Sequence, residues 1–289
     1  MASSARFADG VTASIDAGMI PDIEVDPSDA PTGCVDDPNA STLCLPDTAA
    51  QIDAYVSGFV ATARSVLVAH PGARLVFEPM NEPWNWATPP GIPSGRLAAD
   101  RYAAVLAPLL AAALTSSVPL DDIYVPATGR LDDGTNWIAD LYAARPCLAP
   151  GGGACGPVRG WNLHPYGLPN SRSEGIGSVP AIRAGMRSGE DNIIISEIGF
   201  CARDVNAGAD CEENRADVVG TGAQTARWLT QTLHVARAMW RAGWLRGLLV
   251  WNRAGGGWAM QDENGSLTPQ GEALLHAAEV TPPLVASGP

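Results

Sequence analysis

The feature that most constrains this chain is a regular alternation of short apolar strands and longer helical segments. About six strand-like segments recur at intervals of roughly 30 to 55 residues, each followed by a polar loop and a helix. This alternation is typical of a parallel α/β protein. The predicted strands are 19–25, 74–78, 122–126, 160–167, 192–197 and 245–251, and the predicted helices are 6–18, 48–68, 100–114, 137–144, 180–186, 222–242 and 267–280. One domain over 1–280 and a disordered tail over 281–289 are expected.

Composition excludes several classes of partner and chemistry. The chain is 46% hydrophobic, so it can bury a sizeable core, and its net charge of −13 argues against nucleic acid and anionic membranes as partners. It has no apolar run approaching the length of a membrane span. All 18 basic residues are Arg, so Schiff-base, pyridoxal-lysine and lysine-base chemistry are excluded. We expect a monomer.

The six cysteines form three close pairs in polar loops: Cys34/Cys44, Cys147/Cys155 and Cys201/Cys211. No pair has C-x-x-C spacing and the chain has four His, which disfavours a zinc site. Three local disulfides are predicted, and they imply an oxidising compartment and therefore a secreted protein. The first 20 residues nevertheless lack the pattern of a signal peptide.

Two carboxylates stand at the ends of predicted strands. Residues 76–86 read V-F-E-P-M-N-E-P-W-N-W and place Glu82 after one strand, beside Asn81. Residues 192–200 read N-I-I-I-S-E-I-G-F and place Glu197 at the end of another. A pair of carboxylates is what a retaining glycosidase requires, one to protonate the leaving oxygen and one to attack the anomeric carbon.

These paired motifs resemble the strand-4 and strand-7 motifs of clan A glycoside hydrolases, which include families 5 and 39. The resemblance covers roughly residues 15–280 and implies a (β/α)8 TIM barrel. It also implies that Glu82 is the acid/base, that Glu197 is the nucleophile and that Asn81 binds the sugar 2-hydroxyl. In the same family a His-x-Tyr motif on strand 6 orients the carboxylates, and His164 and Tyr166 match it. Trp251 closes the last strand, as the family's sugar-stacking Trp does.

Further aromatic residues are candidates for substrate binding. Trp84 and Trp86 follow the first motif, and Trp258 follows a run of three glycines. Aromatic faces bind the apolar faces of sugar rings, and aromatic surface near Glu82 would favour its protonated form. Glu78 turns inward by alternation and is expected to be a buried structural carboxylate paired with an Arg.

The sequence therefore predicts a retaining hydrolase of β-linked glycans or glycosides that needs no metal and no cofactor. Endo-acting glucanase or mannanase and exo-acting β-glycosidase both stay open, and a catalytically impaired carbohydrate-binding barrel is the alternative. A metal-dependent hydrolase lacks its His cluster, and Ser196 lacks the G-x-S-x-G turn of a serine hydrolase. A doubly wound sheet would share the alternation, but no G-x-G-x-x-G follows a predicted strand.

The spacing of the strands also bears on the amino terminus. If Glu82 follows strand 4 of the family's barrel, then 19–25 is strand 3, and 18 residues precede it. The expectation is an amino-terminally truncated barrel with strands 3 to 8 present. Strands 3 and 8 would then be unpaired at their outer edges.

Overall fold

The computed structural model describes residues 2–27, 45–85, 96–149, 155, 160–186, 192–205, 211, 218–250, 256–262 and 264–279. The chain forms two compact units. The first contains 1–128, 133–163 and 185–194, and the second contains 129–132, 164–184 and 195–289. A single domain over 1–280 stays a prediction.

Strands and helices alternate along the described chain. The strands are β1 (Asp22–Val25), β2 (Val76–Pro79), β3 (Val125–Thr128), β4 (Trp161–His164), β5 (Ile193–Ile198), β6 (Cys201–Ala202), β7 (Val219–Gly220) and β8 (Leu245–Val250). The helices are α1 (Ala2–Asp16), α2 (Ala49–Ala69), α3 (Arg96–Thr115), α4 (Leu131–Ala144), α5 (Val179–Gly185), α6 (Gly222–Arg241) and α7 (Pro269–Glu279). Each predicted strand and helix is confirmed with shifts of up to four residues at its ends, except that α4 begins at Leu131 and not at the predicted Trp137.

Strand pairing follows the order of the chain. In the first unit β1 pairs with β2 in parallel, and a parallel bridge between Phe77 and Ile123 links β2 to the segment that enters β3. Strands β3, β4, β5 and β8 are neighbours in that order in a four-stranded sheet. Every residue of β2, β3 and β4 is buried. Continuous burial is expected of parallel strands that are covered on both faces.

Two helices of the first unit, α2 and α3, each pack one face into the core. Helix α2 begins with a capping box, in which Thr48 accepts from the Gln51 amide at 3.2 Å. Helices α2 and α3 are long and apolar enough, by length and composition alone, to cross a membrane. Each instead buries a face in the structure, through Tyr55 and Phe59 on α2 and through Tyr102 on α3.

The second unit has its own apolar cluster. Phe200, Val218, Leu229 and Met260 are buried together, and Trp228 packs against them with its ring centroid 5.6 Å from that of Phe200. The two-residue strands β6 and β7, which the sequence did not predict, pair in parallel within this unit.

Two of the three predicted disulfides are confirmed. Cys147 bonds Cys155, and Cys201 bonds Cys211, each with its Cα atoms 5.5 Å apart. The Cys34/Cys44 pair lies outside the described residues.

Candidate active site

The segment after β2 carries two of the predicted site residues on a strained backbone. Met80 and Glu82 both adopt left-handed conformations, with φ of 72° and 42°, and Asn81 lies between them. Residues other than Gly rarely adopt such backbone angles, because each costs about 1–3 kcal/mol and persists only where neighbouring structure enforces it. Asn81 and Glu82 are half-buried, and a short 3-10 turn, Pro83–Asn85, follows them.

The end of β1 holds this segment in place. The Met80 amide donates to the Val25 carbonyl at 3.2 Å. The backbone N–H of Asn81 donates to Asp26 Oδ1 at 2.9 Å. The Met80 side chain is fully buried. These contacts extend the pairing of β1 and β2 past the strand ends and fix the backbone from which Glu82 projects.

Three helices donate a hydrogen bond back to the strand that precedes them. The Tyr55 hydroxyl donates to the Val25 carbonyl at 2.7 Å, and the Tyr102 hydroxyl donates to the Pro79 carbonyl at 2.7 Å. Trp137 Nε1 donates to the Pro126 carbonyl at 3.0 Å. Each donor is the seventh residue of its helix, in α2, α3 and α4 respectively. These three hydrogen bonds satisfy carbonyl groups at or near strand ends, and they fix the rotation of each helix about its own axis.

Burial shapes the chemistry of two of these donors. It raises the pKa of the Tyr55 and Tyr102 hydroxyls well above their usual value of 10.0. For Tyr55 the charges of Tyr102, Asp26, Glu24 and Glu78 add to the effect of burial, and for Tyr102 the charge of Glu78 does. Both hydroxyls therefore keep the protons with which they hold the strand ends.

Glu78 is a buried carboxylate, as predicted, with 2% of its surface exposed. Its Oε2 accepts from the Asn162 amide on β4. The period-two alternation of a strand predicts that Asn162 lies on the same side of β4 as His164 and Tyr166. In the structure the Asn162 side chain hydrogen-bonds Glu78, so Asn162 supports a buried carboxylate of the first unit.

Trp84 lies at the edge of an aromatic stack in the first unit. Its ring meets Trp137 edge-on at 6.0 Å, and Trp137 stacks on Tyr102 at 5.8 Å. Trp84 is half-buried, so part of its surface stays accessible. Its role in substrate binding stays a prediction, and Trp86 lies outside the described residues.

The second unit brings three predicted site residues together. The Tyr166 hydroxyl donates to Glu197 Oε2 at 3.1 Å, and His164 Nδ1 lies 3.5 Å from the same oxygen. Ser196, next to Glu197 on β5, places its Oγ 2.9 Å from His164 Nε2. A carboxylate that accepts hydrogen bonds is favoured in its ionised form, which is the form a nucleophile needs. Glu197 lies inside β5, one residue before the strand ends, and not after it.

Trp258 joins this group through Tyr166. The two rings meet edge-on with centroids 6.2 Å apart. The residue before Trp258 is Gly257, where an added Cβ would lie 2.6 Å from both the Ala202 carbonyl oxygen and Cys211 Sγ. The Cys201–Cys211 disulfide therefore packs directly against the turn that presents Trp258. Trp251 lies outside the described residues.

The fold and these two groups of side chains define an α/β protein with a carboxylate near the carboxyl end of a strand in each unit. Glu82 belongs to the first unit and Glu197 to the second. Sequence reasoning missed Asp26, and it considered Ser196 only as a nucleophile. The signal that could have identified Asp26 is its position as an acidic residue directly after β1.

Solved structures of glycoside hydrolases share this fold. The catalytic domain of a family 53 enzyme from Ignisphaera aggregans is 13% identical, with a TM-score of 0.57 over 93% of this chain and 76% of that one. A psychrophilic family 10 endo-β-1,4-xylanase is 12% identical, with a TM-score of 0.54 over 94% and 80%. A broad-specificity family 5 endoglucanase from Clostridium acetobutylicum is 14% identical, with a TM-score of 0.53 over 94% and 76%.

The likeness establishes the fold: the chain is an α/β protein of the TIM-barrel class, as the sequence predicted. No protein-family model and no curated protein matches the sequence. Its structural neighbours belong to several glycoside hydrolase families, and no single family is singled out.

Proposed function

We propose that this protein is a retaining glycoside hydrolase that cleaves β-glycosidic bonds in a β-linked glycan or glycoside. The observation that carries the proposal is the group formed by Glu197, the Tyr166 hydroxyl 3.1 Å away and the His164 imidazole 3.5 Å away. A half-buried carboxylate with donors on one oxygen is suited to nucleophilic attack by the other. The similarity to glycoside hydrolase structures adds support from the fold.

Glu82 is the proposed acid/base. In the first step a Glu197 oxygen bonds to the anomeric carbon while Glu82 gives its proton to the glycosidic oxygen, whose bond to that carbon breaks. In the second step Glu82 takes a proton from water, and the water oxygen displaces Glu197 from the sugar. Two displacements at one carbon restore the original configuration. The strained and tightly held segment around Glu82 supports this role, because strained backbone clusters at functional sites.

The remaining assignments follow from the same proposal. Asn81 binds the sugar 2-hydroxyl, and Trp84, Trp86, Trp251 and Trp258 contribute to substrate binding. The protein acts as a secreted monomer without a cofactor, and its disulfides are compatible with an oxidising compartment.

Hydrolysis of a panel of nitrophenyl β-glycosides and soluble β-glucans, xylans and mannans tests the proposal. Glu197→Gln should lower kcat by roughly a thousandfold or more. Glu197→Ala with azide should release a glycosyl azide of inverted configuration, which NMR of the product detects. The matched control is Glu272→Gln, on the exposed first turn of α7, and it should keep wild-type turnover. Wild-type turnover by Glu197→Ala would contradict the proposal, and glycan binding without hydrolysis would favour a binding protein.

A further inference from the structure

One imidazole contacts two consecutive residues of β5. Ser196 Oγ lies 2.9 Å from His164 Nε2, and Glu197 Oε2 lies 3.5 Å from His164 Nδ1. Successive side chains of a strand normally point to opposite faces. The ring reaches both because its two nitrogens lie on different edges. His164 closes β4 and is 3% exposed, so its surroundings are protein more than water.

The proton inventory of this group favours one arrangement. An ionised Glu197 only accepts hydrogen bonds, so the nitrogen that faces it should carry a proton. That nitrogen is Nδ1. In the neutral ring Nε2 then holds a lone pair, and the Ser196 hydroxyl can donate to it. The opposite tautomer would direct the Nδ1 lone pair at a carboxylate oxygen, which is repulsive.

We propose that Ser196 is a positioning residue that acts on Glu197 through His164. Its hydroxyl donates to Nε2, holds the ring in one of its two flip states and keeps the Nδ1 proton directed at Glu197. The inference rests on the proposed role of Glu197 as the nucleophile. The bond between Ser196 and His164 is nevertheless measurable without any substrate.

The same atoms are also compatible with a different chemistry. Serine, histidine and a carboxylate in this order form the relay of serine hydrolases, in which the serine oxygen attacks an ester. The positioning role requires no attack by Ser196. Hydrolysis of nitrophenyl acetate that Ser196→Ala abolishes and Glu197→Gln also lowers would overturn the positioning role in favour of the relay.

The kinetic test compares Ser196→Ala with Ser196→Thr, which keeps a hydroxyl. Ser196→Ala should lower kcat roughly tenfold on the best nitrophenyl glycoside, leave KM within about twofold, and move the acid limb of the kcat/KM profile to higher pH. Ser196→Thr should restore most of the rate and the wild-type acid limb. Ser266→Ala, at an exposed serine, is the matched control and should change neither. An unchanged pH profile in Ser196→Ala would overturn the proposal, as would failure of Ser196→Thr to restore it.

A spectroscopic test separates this inference from the proposed function. The chain has four His, so ¹⁵N-histidine labelling gives four rings, and His70→Gln, His234→Gln and His276→Gln assign His164 by elimination. The wild-type His164 ring should show a protonated Nδ1 and an unprotonated Nε2 near neutral pH, and Ser196→Ala should show a mixture. An Nε2–H tautomer in the wild type, or identical ¹⁵N shifts in Ser196→Ala, would overturn the inference. The expected shifts without any glycosidase activity would confirm the hydrogen bond from Ser196 to His164 but would count against the proposed function and, with it, against the positioning role.

Discussion

Tyr166 performs two tasks with different parts of one side chain. Its hydroxyl donates to Glu197, and its ring meets the edge of Trp258. The aromatic contact fixes the ring, and the fixed ring sets the direction of the hydroxyl. Replacing the hydroxyl alone separates these tasks.

Tyr166→Phe should lower kcat roughly tenfold with little change in KM, because the carboxylate loses a donor that favours its ionised form. The acid limb of the kcat/KM profile should move to higher pH. Tyr102→Phe removes the same atom from a tyrosine bonded to a strand-end carbonyl, so it is the control for lost stability and should leave the acid limb at its wild-type pH. A wild-type pH profile in Tyr166→Phe would show that the hydroxyl does not act on Glu197.

At the scale of single residues, the sequence predicted the side of the strand on which a side chain lies, but not the residue to which it bonds. Strand alternation placed Asn162, His164 and Tyr166 on one side, and the side chains of His164 and Tyr166 do share one carboxylate. Asn162 bonds Glu78 instead. Alternation fixes where a side chain starts, whereas the choice between nearby carboxylates depends on the neighbouring strand, which the local sequence does not specify.

The ends of β1 and β2 act as one element. Asp26 accepts from the Asn81 amide, and the residues on both sides of Asn81 have left-handed backbones. A carboxylate that accepts from a backbone amide makes a stronger bond than a neutral acceptor does. This bond offsets part of the strain that aims Glu82.

Asp26→Ala should lower kcat more than it raises KM, and it should speed hydrogen exchange at the Asn81 amide by about tenfold. Asp26→Asn keeps an acceptor oxygen at the same place and should recover most of both properties. Amide exchange followed by NMR and steady-state kinetics measure the two effects. Equal losses in Asp26→Asn and Asp26→Ala would mean that the charge, and not the hydrogen bond, is what matters.

The bonds from helices to strand ends also belong to this scale. Tyr102→Phe leaves the buried Pro79 carbonyl without its donor and should cost about 1–3 kcal/mol in urea unfolding. The raised pKa of Tyr55 and Tyr102 gives a pH dependence as well. The folded state holds these protons more tightly than the unfolded chain does, so the stability is complete below about pH 10 and falls as the pH rises through the folded values.

The Tyr55→Phe/Tyr102→Phe double variant should flatten that alkaline fall in unfolding free energy. A wild-type slope in the double variant would rule out these two hydroxyls as its source. The sequence did not predict these hydrogen bonds from helix to strand, because the shared seventh position of the donors can be recognised only once the first residue of each helix is known.

At the scale of the whole molecule, the alternation of strands and helices was enough to predict a parallel α/β protein, whereas the barrel was implied by the resemblance of the two carboxylate motifs. Apolar runs predicted the strands because parallel strands are buried on both faces. The short pair β6–β7 was missed because two-residue strands carry no periodic signal. The predicted cysteine pairs close short loops, which is why sequence proximity alone identified two of them correctly.

The disulfides should contribute to global stability. Each described bond closes a loop of about ten residues and should stabilise the fold by roughly 2–3 kcal/mol in the loop-entropy model. Thiol titration of unfolded, unreduced protein should find no free cysteine, with Cys34 and Cys44 as the third pair. Cys201→Ala/Cys211→Ala should lower kcat as well as stability, since Gly257 packs on that bond, whereas Cys147→Ala/Cys155→Ala should affect stability alone. Two free thiols would refute the third pair.

The seventh-residue bonds make the lengths of the connecting segments nearly irrelevant to helix docking. Residues 26–48 connect β1 to α2, residues 80–95 connect β2 to α3, and only residues 129–130 connect β3 to α4. The aromatic residue that bonds the preceding strand is nevertheless the seventh residue of its helix in all three cases. Closing a longer loop costs little additional entropy. These connections can therefore vary in length while the helices stay anchored to the strands they follow.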